Sequence, residues 1–139
     1  MRQLLKKTIM LPIEKWVGLT RRIMAIERGH ENDDKTLIRH VYDLNAINEA
    51  NKINSHFIEF AKTIIMSDGE QFKNQHPEYA ADPSAEIKQS LSLLKNKSLW
   101  KERYEEFIEV MVYDNTNVIA YDQAIHILEN ISAKVIKSL

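Results

Sequence analysis

Five polar side chains in the first third of the chain are spaced to act together: Lys15 and Arg22, seven apart, then Arg39, His40 and Asp43. On an α-helix a separation of seven returns to the same flank about 10.5 Å further along the axis. Arg39 and Asp43 are four apart, so they are neighbours on a helix surface. Residues 1–39 carry nine Lys/Arg against five Asp/Glu, although the chain's net charge is −1. A basic segment of this kind could meet phosphates, but its surplus is far below that of a nucleic-acid-binding tail. The plain alternative is two solvated cations and a surface ion pair worth a few tenths of a kcal/mol.

Two helices must position these groups. Pro12 suits a first helical turn, Gly29 suits the left-handed position after a last turn, and Asp33 or Asp34 can cap the next helix. Ile13, Trp16, Val17, Ile23 and Met24 recur at helical spacing, as do Leu37, Ile38, Val41, Leu44 and Asn48 on the second segment. These stripes face a core. Arg39 and Asp43 then stand opposite the second stripe. Lys15 and Arg22 lie on a flank of the first, beside Leu19 and Ile26, which are expected to be partly open.

Other capped amphipathic segments follow. Residues 1–10 read either as helix or as a short extended piece before Pro12. The asparagines at 45, 48, 51 and 54 predict a helix end near Asn51, and Asn54 or Ser55 caps a third helix with Phe57, Phe60, Ala61, Ile64 and Ile65 inward. That helix is expected to stop near Ser67-Asp68-Gly69, with a short helical turn and a surface loop from Glu70 to Asp82. Asp82 caps a helix that has Pro83 first and Ile87, Leu91 and Leu94 inward. Ser98 caps the next, whose stripe is Trp100, Tyr104, Phe107, Ile108 and Met111. Asn115-Thr116-Asn117 breaks it, and the last helix buries Tyr121, Ile125, Leu128, Ile131 and Val135. No stretch alternates with period two, and there are only three glycines. The expected fold is an all-α compact bundle of about five or six helices in one domain, residues 1–139.

Several chemistries are excluded. With no cysteine there is neither a disulfide nor a thiolate metal site. The apolar runs are too short to span a bilayer and Glu14 and Lys15 end any signal core, so a cytoplasmic protein is expected. There is no glycine-rich phosphate loop and no G-x-S-x-G elbow. The histidines at 30, 40, 56, 76 and 126 include no i, i+4 pair for zinc. His30, Glu31, Asp33 and Asp34 cluster in the inter-helix turn, where a solvated turn with a helix cap is a better reading than a cation site. No metal ligand is assigned.

Glu14-Lys15-Trp16-Val17-Gly18-Leu19 with Arg21-Arg22, and Leu37-Ile38-Arg39-His40-Val41-Tyr42-Asp43-Leu44, resemble the C-terminal half of the AbiEii/AbiGii nucleotidyltransferase-like toxins of type IV toxin–antitoxin and abortive-infection systems. The likeness continues in Asn74-Gln75-His76-Pro77-Glu78-Tyr79, in Trp100 with Tyr104 and Phe107, and in Met111-Val112-Tyr113, covering about Leu11 to the end. The resemblance implies an α/β nucleotidyltransferase core followed by a helical bundle. It maps a helical catalytic Lys onto Lys15 and an Asp of the R-D-x-Y-D type onto Asp43, with Arg22 and Arg39 as substrate-binding cations. Asp43 would orient Lys15 or Arg39, or approach a metal from outside its immediate ligands.

The phosphate loop and the strand-borne acidic pair of that family have no counterpart before Leu11. The chain therefore reads as the helical half alone, with residues 1–11 as a candidate remnant of a preceding domain. It is expected to be inactive by itself and to need no cofactor in isolation. Mg²⁺ and a nucleoside triphosphate are implied for a full-length member, and RNA only in that context. Its expected partners are a nucleotidyltransferase core, an antitoxin protein or a second copy. The alternative is a stand-alone helical module that binds a partner or dimerises.

Overall fold

A computed structural model describes residues 2–49, 55–111 and 118–139, and their side chains except those of residues 2–11, 47, 49, 55 and 111. The described residues form seven helices: α1 (Arg2–Glu27), α2 (Arg39–Glu49), α3 (Ser55–Gln71), α4 (Pro77–Ala81), α5 (Pro83–Asn96), α6 (Ser98–Met111) and α7 (Tyr121–Ser138). The expected all-α bundle is what is found, with one helix more than the periodic pattern showed. The expected end near Asn51, the Asn54 cap and the Asn115–Asn117 break lie outside the described residues, as do Val112 and Tyr113. Among the described residues no helix is long and apolar enough to cross a membrane.

The hub is α1. It packs against α2, α3 and α5, and α7 closes the bundle against α2, α3 and α5, while α6 lies on α2, α5 and α7. Being surrounded, α1 is buried on more than one face: Ile13, Trp16, Val17, Leu19, Thr20, Ile23, Met24 and Ala25 are all in the interior. This corrects the expectation for Leu19, which is fully buried rather than open. Ile26 is half-buried against the core. Pro12 is also not a first-turn residue, because α1 runs from Arg2 straight through it. Its missing N–H leaves the carbonyl of Thr8 without the usual helical donor.

The predicted apolar stripes supply the core. Phe57, Ala61, Ile65, Ile87, Leu94, Trp100, Tyr104, Ile125, Leu128 and Val135 are buried, and Trp16 meets Phe57 edge-on with ring centroids 6.3 Å apart. Trp100 and Tyr104 are thus core side chains. Three polar groups that enter the core find partners, whereas Trp100 Nε1 and Asn45 Oδ1 are buried without one. Trp16 Nε1 donates to Ser132 Oγ at 2.9 Å, Tyr121 Oη to the Leu94 carbonyl at 2.7 Å, and Asn45 Nδ2 to the Val41 carbonyl at 2.9 Å.

The Ser67–Asp82 stretch departs most from expectation. The Ser-Asp-Gly sequence does not end α3, which continues to Gln71, and the supposed surface loop contains α4 with Tyr79 buried. Asp68 is held inside the helix by accepting from Arg21 Nη1 at 2.8 Å, and the guanidinium lies 4.2 Å over the Phe72 ring. Gly69 faces the backbone of Ala80 on α4. Tertiary partners for the acid and the glycine override their turn preference. Asp82 does cap α5 as expected, its carboxylate accepting from the Ala85 N–H at 3.1 Å.

Candidate functional site

The turn between α1 and α2 brings the two charged stretches face to face. Gly29 takes the left-handed conformation, φ 76°; its own N–H bonds back to the Ile26 carbonyl and those of His30 and Glu31 to the Ala25 carbonyl, closing α1. Asp34 accepts from the backbone N–H of Thr36 at 2.9 Å and from its hydroxyl, stabilising the tight turn that leads into α2. Leu37 and Ile38 are buried from that turn, and α2 opens at Arg39. The direction of α2 against α1 is thereby set.

Lys15 Nζ then donates to Asp43 Oδ2 at 3.0 Å, the two side chains being about a quarter exposed at 23% and 24%. Arg39 Nε stands 4.0 Å from the same oxygen and is 61% exposed. Asp43 is therefore not turned fully away from α1, as a simple helical projection suggested. It reaches across the helix–helix contact. A pair this accessible contributes little stability, roughly 0–1 kcal/mol, so its energetics do not explain its presence.

Arg22 is separately engaged. Its Nε donates to Glu31 at 3.1 Å and its Nη2 to Asp34 at 3.0 Å, both acids belonging to the inter-helix turn. Asp33, the third acid there, takes a two-pronged bond from Arg103 on α6, one arm of it 2.9 Å long. The cluster that could have been a cation site is thus neutralised by arginines. Among the described residues no group of three or more His, Asp or Glu side chains is placed to hold a metal ion.

His40, on the first turn of α2, is bracketed by the charges of Lys15 and Arg22 from α1, Asp34 from the turn and Asp43 from its own helix. Burial, reinforced by the positive charge of Lys15, pushes its imidazole below the ordinary histidine range, so it is neutral near pH 7. Its Nδ1 is buried with no hydrogen-bond partner. Gly18, between Lys15 and Arg22 in sequence and one turn from each, has nothing within 4 Å of where a Cβ would stand. The site thus has an open stretch of helix backbone between its two cations.

The structure unites Lys15, Arg39 and Asp43, and places Arg22 in an adjoining cluster with Glu31 and Asp34. Two features were not legible as parts of one site. His40 was grouped with the other polar side chains, but its burial among their charges was not legible. The acids that engage Arg22 come from a turn whose composition suggested solvation. Chemically, a Lys–Asp pair beside an exposed Arg can meet an anionic group once Lys15 leaves Asp43. It cannot hold a divalent cation alone, because Asp43 already faces two cations through one oxygen. Comparison with family models, with functionally described proteins and with solved structures finds no match.

Proposed function

We propose that this chain is the helical C-terminal part of a nucleotidyltransferase-like protein of the AbiEii/AbiGii toxin kind, carrying part of its nucleotide and acceptor site. The observation that carries this reading is the 3.0 Å contact between Lys15 and Asp43, the two positions that the family resemblance assigns to catalysis. They are 28 residues apart and on different helices, and nothing in the apolar pattern required their side chains to meet. In this reading the Lys15 ammonium offsets the negative charge that develops as pyrophosphate leaves, with Asp43 positioning it. Arg39, exposed beside them, contacts phosphate, and Arg22 does so when released from Glu31 and Asp34. Residues of this chain do not fit Mg²⁺ by themselves, so the metal-holding acids and the phosphate loop belong to a nucleotidyltransferase core that docks on this face. That core and an antitoxin protein are the proposed partners, in the cytoplasm, with RNA as an acceptor only when the core is present.

The test has two arms. The purified chain, given labelled nucleoside triphosphates, Mg²⁺ or Mn²⁺ and total RNA, should show only background transfer. Co-expressed with a reading frame found beside its gene that encodes a Gly-Gly-Thr/Ser loop and an Asp-x-Asp strand, it should transfer label, and Lys15→Ala or Asp43→Asn should abolish the transfer. Activity of the lone chain that disappears in Lys15→Ala overturns the incomplete-site part of the reading. A folded pair whose activity ignores both substitutions overturns the rest.

A second reading, a stand-alone helical interaction module, is favoured by one observation. Lys15 and Arg22 are already matched by carboxylates, so the patch has little unspent positive charge for a phosphate.

A further inference from the structure

On the flank of the molecule where α6 meets the turn before α2, a groove runs beside Leu99, Phe107 and Val110. Val110 is 72% exposed, the most open of the large apolar side chains exposed among the described residues. Phe107 is half-buried and meets Tyr42 edge-on at 5.6 Å, so the groove floor is fixed by the bundle beneath it. An apolar floor this open beside a fixed aromatic ring is a docking surface.

The charges of its two walls identify what docks. The wall from the turn and α2 carries Lys35 and Arg39, and the wall from α6 carries Glu102 and Glu106. Lys35, Glu102 and Glu106 make no ion pair among the described residues, and Arg39 has only its long contact with Asp43. Arg103, also in the groove, is committed to Asp33. The uncommitted charge is therefore two positive on one wall and two negative on the other. A partner of a single sign, such as a nucleic acid or an acidic peptide, would leave two like charges opposed. A second copy placed by a twofold axis along the groove sets each basic wall over the other's acidic wall, and Val110 beside Val110 of that copy.

We infer that this chain forms a twofold homodimer through the groove between α6 and the turn before α2. The inference shares Arg39 with the nucleotidyltransferase reading but does not rest on it, and its readout is mass rather than activity.

Sedimentation velocity should give twice the chain's 16.3 kDa at high micromolar concentration, returning to monomer on dilution. Val110→Asp, at an exposed position and with an unchanged thermal melt, should be monomeric at the same concentration. The decisive experiment uses two reversed chains. Lys35→Glu with Arg39→Glu makes both walls acidic, and Glu102→Lys with Glu106→Lys makes both basic. Each should be monomeric alone, and an equimolar mixture should regain the dimer. A monomeric wild type overturns the proposal, as does a dimer that persists in either reversed chain or in Val110→Asp. Failure of the mixture to associate overturns the twofold arrangement.

Discussion

The indole N–H of Trp16 donates to the hydroxyl of Ser132, 2.9 Å away and 116 residues along the chain, with both residues wholly buried. This bond fastens the hub helix to the last helix at the residue next to Lys15. Ser132→Ala should leave the indole donor buried and unpaired, at a cost of about 1–3 kcal/mol. Chemical denaturation measures this. A loss under about 0.5 kcal/mol, in the range of an ordinary surface change, would show that the bond contributes nothing.

Gly18 lies inside α1 with open space where a side chain would begin. Gly18→Ala should therefore raise stability by about 0.5–1 kcal/mol, from helix propensity and a less flexible unfolded chain. A destabilised variant would mean that the backbone there is closely covered after all. If the Lys15 face receives a docking domain, the same substitution should weaken that association while strengthening the isolated fold.

Two ion pairs of α1 and its C-terminal extension should differ sharply. A double-mutant cycle on Lys15→Met and Asp43→Asn should give a coupling of roughly 0–1 kcal/mol, because both groups are partly solvated. Arg28 binds Glu86 through both guanidinium nitrogens, and the Glu86 side chain is only 4% exposed. Arg28→Ala strands that carboxylate and should cost about 3 kcal/mol. A loss from Arg28→Ala no larger than that from Lys15→Met alone would refute the distinction drawn from burial.

Acid should weaken the fold through two buried histidines. His40 and His76 are both held below the ordinary histidine range by burial, helped by Lys15 and Arg21 respectively. Their unfolded forms take up protons near pH 6.5 while the folded forms do not, so stability is full above that value and declines as pH falls towards the folded pKa. His76 also faces Glu31 and Asp68, whose negative charges limit the effect without reversing it, and His30, which adds to it. Thermal melts between pH 7.5 and 5.5 should fall with acidity, and the slope should flatten in His40→Asn combined with His76→Asn. An unchanged slope in that double variant would assign the acid sensitivity elsewhere.

What could be read before the structure follows from the range of each interaction. Helical stripes such as Trp100/Tyr104/Ile108 and the Asp82–Pro83 start depend on residues within a turn or two, and both were legible. The meeting of Lys15 with Asp43 was expected as a shared surface, because one short turn joins their helices. Their hydrogen bond required the side-chain directions. The pairs Arg21–Asp68, Arg28–Glu86 and Arg103–Asp33 span 47, 58 and 70 residues, and no local pattern announces them. For the same reason Ser67-Asp68-Gly69 read as a stop. Its helical state depends on Arg21 and on α4, neither of which is nearby in sequence.

The acids of the inter-helix turn give that segment a distinctive sensitivity. Glu31 and Asp34 hold Arg22, Asp33 holds Arg103, and Glu31 also lies 3.4 Å from His76 Nε2. Apolar anchoring begins only at Leu37. Attraction between exposed charges is screened over roughly 3 Å in molar salt, comparable to these contacts, whereas apolar packing is not. Concentrated salt should therefore free the turn for local opening while the bundle stays folded. Amide hydrogen exchange would record it as faster exchange at residues 31–36 against unchanged protection in α1 and α7. The basic wall of the groove begins in that same segment, at Lys35, so ionic strength would loosen the wall itself as well as screen its charge.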